Sequence, residues 1–367
     1  EIAQCLVGSE MCIRDRVMGS CDYELTARFE AYDDEKIFGM GQYQEKHLDK
    51  KGATLELAQR NSQASVPFYV SSRGYGFLWN NPAIGTATFG TNKTEWYAKR
   101  TKKLDYFITA GDTPAEIELH YSAAAGRTPM MPEFGLGYWQ CKLRYESQDE
   151  VLEVARRYKA EGIPIDAIVI DFFHWTEQGN WEFDPEYWPD PKAMCDDLKA
   201  MGIEPVVSIW PTINPDSRNW EMMKDGNILV RTENGQFGIF DFHCQQTYVD
   251  VTSPEAREYM WQQVKKGYFD LGIKTFWLDQ AEPEVHPQQF GNLKFYIGNG
   301  AQTALAYPYY YAKTFYDGLK NEGINDIVLL TRCAYPGSQK YGTIVWNGDI
   351  PSNFDALRQS VVSGLSM

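Results

Sequence analysis

Residues 274–284 read Lys-Thr-Phe-Trp-Leu-Asp-Gln-Ala-Glu-Pro-Glu, so a bulky apolar run releases three carboxylates, Asp279, Glu282 and Glu284. A run of acids is ordinarily a solvated loop. An acid that directly ends a buried strand is a different object, because the strand holds its carboxylate in one place. The same arrangement returns in "IVIDFF", where Asp171 follows an apolar run, and in "TIVWNGD", which leads to Asp349. Two carboxylates facing one pocket divide acid and base roles when their surroundings separate their pKa values. Cleavage of a glycosidic bond needs such a pair: one to attack or to activate water, one to protonate the leaving oxygen. Asp171, Asp279, Glu282 and Asp349 would also suit a divalent cation such as Mg²⁺. The aromatic neighbours, as in Phe276-Trp277-Leu278-Asp279, favour sugar rings over a hydrated ion. For Asp190, Asp216 and Asp250 the ordinary reading is a helix cap or a turn. His174 and His243 read as loop histidines, and the five histidines form no HxH or HxxxH pair for a metal centre.

The elements that must position these residues change character along the chain. From Ser20 to Tyr121 there are short alternating runs such as "VPFYVSS" and "YGFLWN", separated by turn dipeptides, which predict an antiparallel sandwich. After the proline-bounded linker "GRTPMMPEFG" (126–135), apolar strands alternate with amphipathic helices. One helix begins after Ser147, with Glu150 at capping-box spacing. Six strands are expected, at 136–141, 165–172, 204–210, 273–279, 327–333 and 343–349. Nearly continuous apolar strands indicate a parallel sheet buried on both faces. Polar or aromatic residues at the strand ends, followed by long loops, predict a (β/α)8 barrel, truncated here at six strands. The strand ends gather Trp139, Cys141, Asp171, Phe172, Trp210, Trp277, Asp279, Glu282, Arg332, Trp346 and Asp349.

Composition narrows the partners. A net charge of −15 argues against nucleic acid and anionic membranes. No apolar stretch reaches the length of a membrane span. Seven cysteines, scattered singly, fit reduced thiols better than a disulfide framework or a zinc site. The aromatic content of 14% fits either a large core or a sugar-binding cleft. The stretch "CLVGSEMCIRDR" (5–16) lacks the features of a signal peptide and is similar to a translated sequencing adapter. Residues 1–16 are therefore left out of the fold, with a sandwich portion expected at 17–130 and the barrel at 131–367. The compartment, cytoplasmic or periplasmic, stays open, and a homo-oligomer is compatible with the sequence.

Several motifs together resemble glycoside hydrolase family 31, the α-glucosidase and α-xylosidase family. "WLDQAEPE" looks like its nucleophile segment, and "TRCAYPGSQKYGTIVWNGD" (331–349) is similar to its acid/base segment. "GYWQCKLRY", "IPIDAIVIDFFHW", "FDPEYWPDPKAMCDDLKAMGI" and "VSIWP" match its first three barrel strands, and "VPFYVSSRGYGFLWNN" resembles the end of its N-terminal sandwich. The resemblance implies that Asp279 is the nucleophile and Asp349 the general acid/base of a retaining double displacement. It implies that Asp171 binds sugar hydroxyls, that Trp210, Trp277 and Trp346 line the −1 subsite, and that Arg332 binds hydroxyls beside the acid/base. Glu282 would orient its neighbours. Phe172 would narrow the space taken by the 6-hydroxymethyl of glucose, which favours α-xylosidase over α-glucosidase; a transglycosylase of the family would share every residue named. An oligosaccharide substrate and no metal or organic cofactor are implied; a non-catalytic sugar-binding protein is the remote alternative. The family's next strand, with its Asp-Ile-Gly-Gly-Phe segment and a histidine, is not in the sequence. The chain is thus expected to be a fragment, inactive and poorly folded alone.

Overall fold

The computed structural model describes residues 11–367. The first strands are β1 (Met11–Arg16), β2 (Tyr23–Glu30), β3 (Ile37–Gln42), β4 (Thr54–Leu57) and β5 (Ala64–Ser71). They continue with β6 (Tyr75–Trp79), β7 (Gly85–Phe89), β8 (Lys93–Thr101) and β9 (Tyr106–Ala110). They make two sheets, ordered β1-β2-β8-β7-β4 and β3-β5-β6-β9, with antiparallel pairings throughout. Period-2 alternation sends Leu25, Ala27 and Phe29 of β2 inward, and Trp96 and Ala98 of β8 with them. These meet Tyr69 and Phe77 of the second sheet in one core, where the Phe77 and Trp96 rings stack 5.3 Å apart.

One expectation is corrected here. The segment 1–16 was left out of the fold, yet Met11–Arg16 pairs with β2, from Met11 opposite Arg28 to Arg16 opposite Tyr23. The free backbone edge of β2 accepts an extended segment through main-chain hydrogen bonds, which depend little on side-chain identity. Residues 1–10 lie outside the described residues.

The second half is built on β10 (Trp139–Lys142), β11 (Ala167–Ile170), β12 (Glu204–Ile209), β17 (Thr275–Leu278), β20 (Leu329–Thr331) and β21 (Thr343–Val345). All five neighbouring pairs are parallel, and the sheet order follows the chain order. The expected 136–141 strand starts later, because Glu133–Leu136 forms a short 3₁₀ turn first. Small sheets lie in the loops: β13 (Thr212–Ile213) with β16 (Cys244–Tyr248) and β15 (Phe240–Phe242), and β14 (Arg231–Thr232) with β18 (Leu293–Phe295) and β19 (Gly298–Asn299).

Helices follow the strands as their caps dictate. Ser147 accepts from the Glu150 amide to start Gln148–Ala160, and the Glu150 carboxylate accepts from Glu146, one residue before the expected capping-box partner. Asp190 caps Pro191–Ala200 as expected, and Ser253 caps Pro254–Gly267. The latter packs on Tyr307–Asn321, where a β-carbon on Gly318 would sit 2.1 Å from the Trp261 ring. Ile168, Ile170, Val207, Ile209, Phe276 and Leu278 join the core shared with the helices. Ala167, Val169 and Val206 point to the other face, with Trp139 and Trp277 partly buried against them. Burial on both faces explains the near-continuous apolar strands. Among the described residues no helix is long and apolar enough to cross a membrane.

Candidate active site

The strand ends carry the site. Asp171 follows Ile170, Trp210 follows Ile209, Asp279 follows Leu278, Arg332 follows Thr331 and Trp346 follows Val345, each one residue past its strand. The ladder extends one step to hold them: the Asp279 amide donates to the Ile209 carbonyl at 3.0 Å and the Trp346 amide to Thr331 at 3.2 Å. Backbone then turns away sharply. Gln280, directly after Asp279, has φ 50°, and Phe173, two residues after Asp171, has φ 61°. Such values are strained for residues with a β-carbon and gather where geometry is over-determined.

Arg332 stands at the centre, 4% exposed. Its Nη2 lies 2.7 Å from Glu282 and 2.8 Å from Glu284, while Nη1 lies 3.4 Å from Asp279 and 3.8 Å from Asp349. Burial alone would lower the guanidinium, but Glu282, Asp279 and Glu284 together hold it above its ordinary value. Burial pushes the Asp279 carboxyl up, opposed by Arg332 and by the Gln280 amide. Burial raises Glu282 to about 7 against the same guanidinium. It raises Asp171 to about 7 as well, with the charges of Asp279 and Asp349 adding to the effect and the Phe172 amide, 2.7 Å away, opposing it. Asp349 differs from the others, for its side chain is 70% exposed. The site therefore has a buried, cation-paired aspartate and a water-facing one, both within reach of one nitrogen.

Aromatic rings wall this cluster. Trp346 meets Trp277 edge-on at 5.2 Å, and the Arg332 guanidinium carbon lies 5.9 Å from the Trp346 ring centre. Phe172 packs 5.1 Å from Trp210, and Phe173 and Phe242 close the same group. The indole nitrogens of Trp210 and Trp277 are buried without a protein partner. Asp171, Trp210, Asp279, Arg332 and Trp346 thus directly follow their strands, Phe172 comes next after Asp171, Trp277 lies within β17, and Glu282 and Asp349 lie in the loops just beyond; Trp139 and Cys141, expected at a strand end, instead lie within β10, which Trp139 opens. His174 departs from expectation. It is buried at 2%, with Nδ1 donating to the Asp171 carbonyl and Nε2 accepting from the Tyr268 hydroxyl, both at 2.8 Å. Burial lowers it to about 4, so a neutral imidazole braces the strand end. Asp250 is a turn residue as expected, bonded to the Thr252 amide at 3.2 Å.

Sequence reasoning missed three contributors. Glu284 lies in the 274–284 run of acids, but nothing in its spacing shows that it pairs with Arg332. Tyr311 donates to the Ile209 carbonyl at 2.8 Å, the same oxygen that holds Asp279. Asn61, 288 positions from Asp349, bonds it directly, and no local signal announces that. A cleft of about 780 Å³ lies elsewhere, between Phe68, Tyr121, Gln339, Val345 and Leu365, and no sequence-predicted residue lines it. Among the described residues no cluster of three or more His, Cys, Asp or Glu side chains has metal-binding geometry.

A parallel sheet with acids, an arginine and aromatics at its carboxyl ends is the arrangement on which barrel enzymes build their active face. Residues 128–367 match the Glycosyl hydrolases family 31 TIM-barrel domain, and the chain belongs to that family. It is 51% identical to a protein of Pseudescherichia vulneris named "Uncharacterized family 31 glucosidase ORF2", over 94% of this chain and 65% of that protein. It is 36% identical to Alpha-xylosidase A of Aspergillus niger, over 92% of this chain and 50% of the relative. The solved structure of a GH31 α-xylosidase from a soil metagenome, complexed with xylose, superposes with a TM-score of 0.95 at 53% identity, covering 98% of this chain and 53% of that one. The chain thus spans about half to two-thirds of the length of these relatives.

Proposed function

We propose that this chain carries the catalytic residues of a retaining α-glycoside hydrolase, with Asp279 as nucleophile and Asp349 as general acid/base. The observation that supports it most is Arg332 Nη1, which has Asp279 on one side and Asp349 on the other. Asp279 attacks the anomeric carbon while Asp349, protonated, gives its proton to the departing oxygen. The glycosyl ester on Asp279 is then cleaved by water, which loses a proton to Asp349, so two inversions retain the configuration. In this reading Asp171 and Arg332 bind sugar hydroxyls, Trp210, Trp277 and Trp346 bound the subsite, and Glu282 orients Arg332. In the same reading the two antiparallel sheets, β1 included, are a sandwich portion that runs to about residue 130, and 131–367 carry six strands of an eight-stranded barrel.

The sugar is an α-xylosyl residue. In this reading Phe172, 5.1 Å from Trp210, narrows the space that the hydroxymethyl of glucose would take, and the α-xylosidases among the relatives favour the same choice. The name of the P. vulneris relative favours α-glucosidase instead. One such group is worth about 1–3 kcal/mol of discrimination. Aryl α-xylosides and α-glucosides, assayed with the chain carried to the length of its relatives, separate the two. Phe172→Ala should move preference toward the glucoside; a parallel fall of both rates, together with a lower melting temperature, would make Phe172 packing only. Asp279→Ala should abolish hydrolysis while xylose still binds, and unchanged turnover would remove Asp279 from the nucleophile role.

A further inference from the structure

The residue that grips Asp349 comes from the antiparallel half of the molecule. We infer that Asn61, in the turn between β4 and β5, is a positioning residue that holds the Asp349 carboxylate for proton transfer; this rests on Asp349 being the acid/base. Asn61 Nδ2 donates to Asp349 Oδ2 at 2.6 Å, and Asn61 Oδ1 accepts from the Asp349 amide at 3.1 Å. One side chain therefore fixes both the backbone and one carboxylate oxygen. The amide is itself oriented, because Ser62 Oγ donates to Asn61 Oδ1 at 3.2 Å and leaves Nδ2 to face the acid.

The turn that carries Asn61 is clamped to the parallel sheet. Gln59 Nε2 reaches the carbonyls of Ala334 at 2.7 Å and Leu305 at 3.2 Å. Cys333 Sγ lies 3.5 Å from the carbonyls of both Arg60 and Gln63. From the other side, Gly348 sits at φ +77°, and a β-carbon there would fall 2.5 Å from Ser62 N and Cα. Only glycine allows the Asp349 turn to lie this close to the Asn61–Ser62 backbone. Asp349 is otherwise largely exposed, so without Asn61 its carboxylate would sample many rotamers in water. A hydrogen bond at so exposed a site adds little to stability, which separates positioning from folding.

The test uses the chain at the full length of its relatives and the aryl α-glycosides it cleaves fastest. Asn61→Ala should lower kcat/KM about 10- to 100-fold for poor leaving groups and by less than about threefold for good ones, since only the former need a well-placed acid. The melting temperature should stay within about 2 °C. Asn61→Asp, which keeps the shape but exchanges the donor for an acceptor, should lose at least as much. Asn61→Ala added to Asp349→Ala should cost nothing further. Equal losses on both substrate classes, an Asp variant as active as the parent, or an added loss in the double variant would each overturn the positioning role. Uniform losses in Asp349→Ala itself would instead remove the acid/base reading on which it rests.

Discussion

Arg332 is a single cation set against Glu282, Glu284, Asp279 and Asp349, which makes charge balance part of its role. Lysine keeps the charge but presents one ammonium instead of a fork, so it cannot meet carboxylates on two sides at once. Arg332→Lys should lower kcat by at least about 100-fold, read on activated substrates. Arg332→Ala should also destabilise the fold by about 3–5 kcal/mol, because the buried carboxylates lose their partner; chemical denaturation measures this. Asp171 yields a pH prediction. Burial raises its folded pKa to about 7, above that of an unfolded aspartate, so the folded chain holds this proton more tightly. Its stabilising contribution is complete at pH below the ordinary carboxylate range and is lost as pH rises through about 7. The melting temperature of the parent should therefore fall relative to Asp171→Asn between pH 5 and pH 8, and parallel curves would contradict the raised value. Glu282, raised to about 7 as well, is present in both proteins and cancels from the comparison to first order.

At the scale of elements, five of the six parallel strands end one residue before a site side chain, and a carbonyl there can serve two donors. The Ile209 carbonyl accepts from both the Asp279 amide and the Tyr311 hydroxyl, so the helix Tyr307–Asn321 braces the strand end that carries Asp279, the proposed nucleophile. Tyr311→Phe removes one buried bond while the carbonyl keeps the other; a loss of about 1 kcal/mol is expected in denaturant titration. This part of the fold was legible because period and punctuation agree: "TFWL" and "AIVI" are apolar throughout, and the acids follow at once. The helix starts at Ser147, Asp190 and Ser253 were legible for the same local reason. The role of His174 was not. A histidine three residues past an aspartate says nothing about Tyr268, which reaches it from 94 positions away. Glu284 shows the same limit, since its partner Arg332 lies on another strand end.

Across the whole molecule, the two halves share apolar packing, with Leu305, Ala306 and Tyr335 in the antiparallel core, and are tied together by a few buried polar residues. Gln59, 2% exposed, ties its own Ser65 to Leu305 and Ala334 of the parallel half. Gln42 reaches the Trp346 carbonyl at 3.3 Å, and Ser363 donates to the Tyr43 carbonyl at 2.9 Å. Gln59→Leu would strand those carbonyls in a dry interface, at about 1–3 kcal/mol for each group left unpaired. Calorimetry should then resolve one cooperative transition into two, as the halves lose their coupling. None of this was visible in the sequence, where composition shifts near residue 126 and invites a cut between independent parts. Asn61 makes such a cut misleading, because the border between the halves runs beside Asp349, the proposed acid/base. Recombination is constrained by this. A chimera that paired this barrel with a foreign β-domain would bring the wrong turn against Gly348 and leave Asp349 unheld. Chimeras between relatives should therefore work only when the 58–63 turn travels with the 346–349 turn it touches.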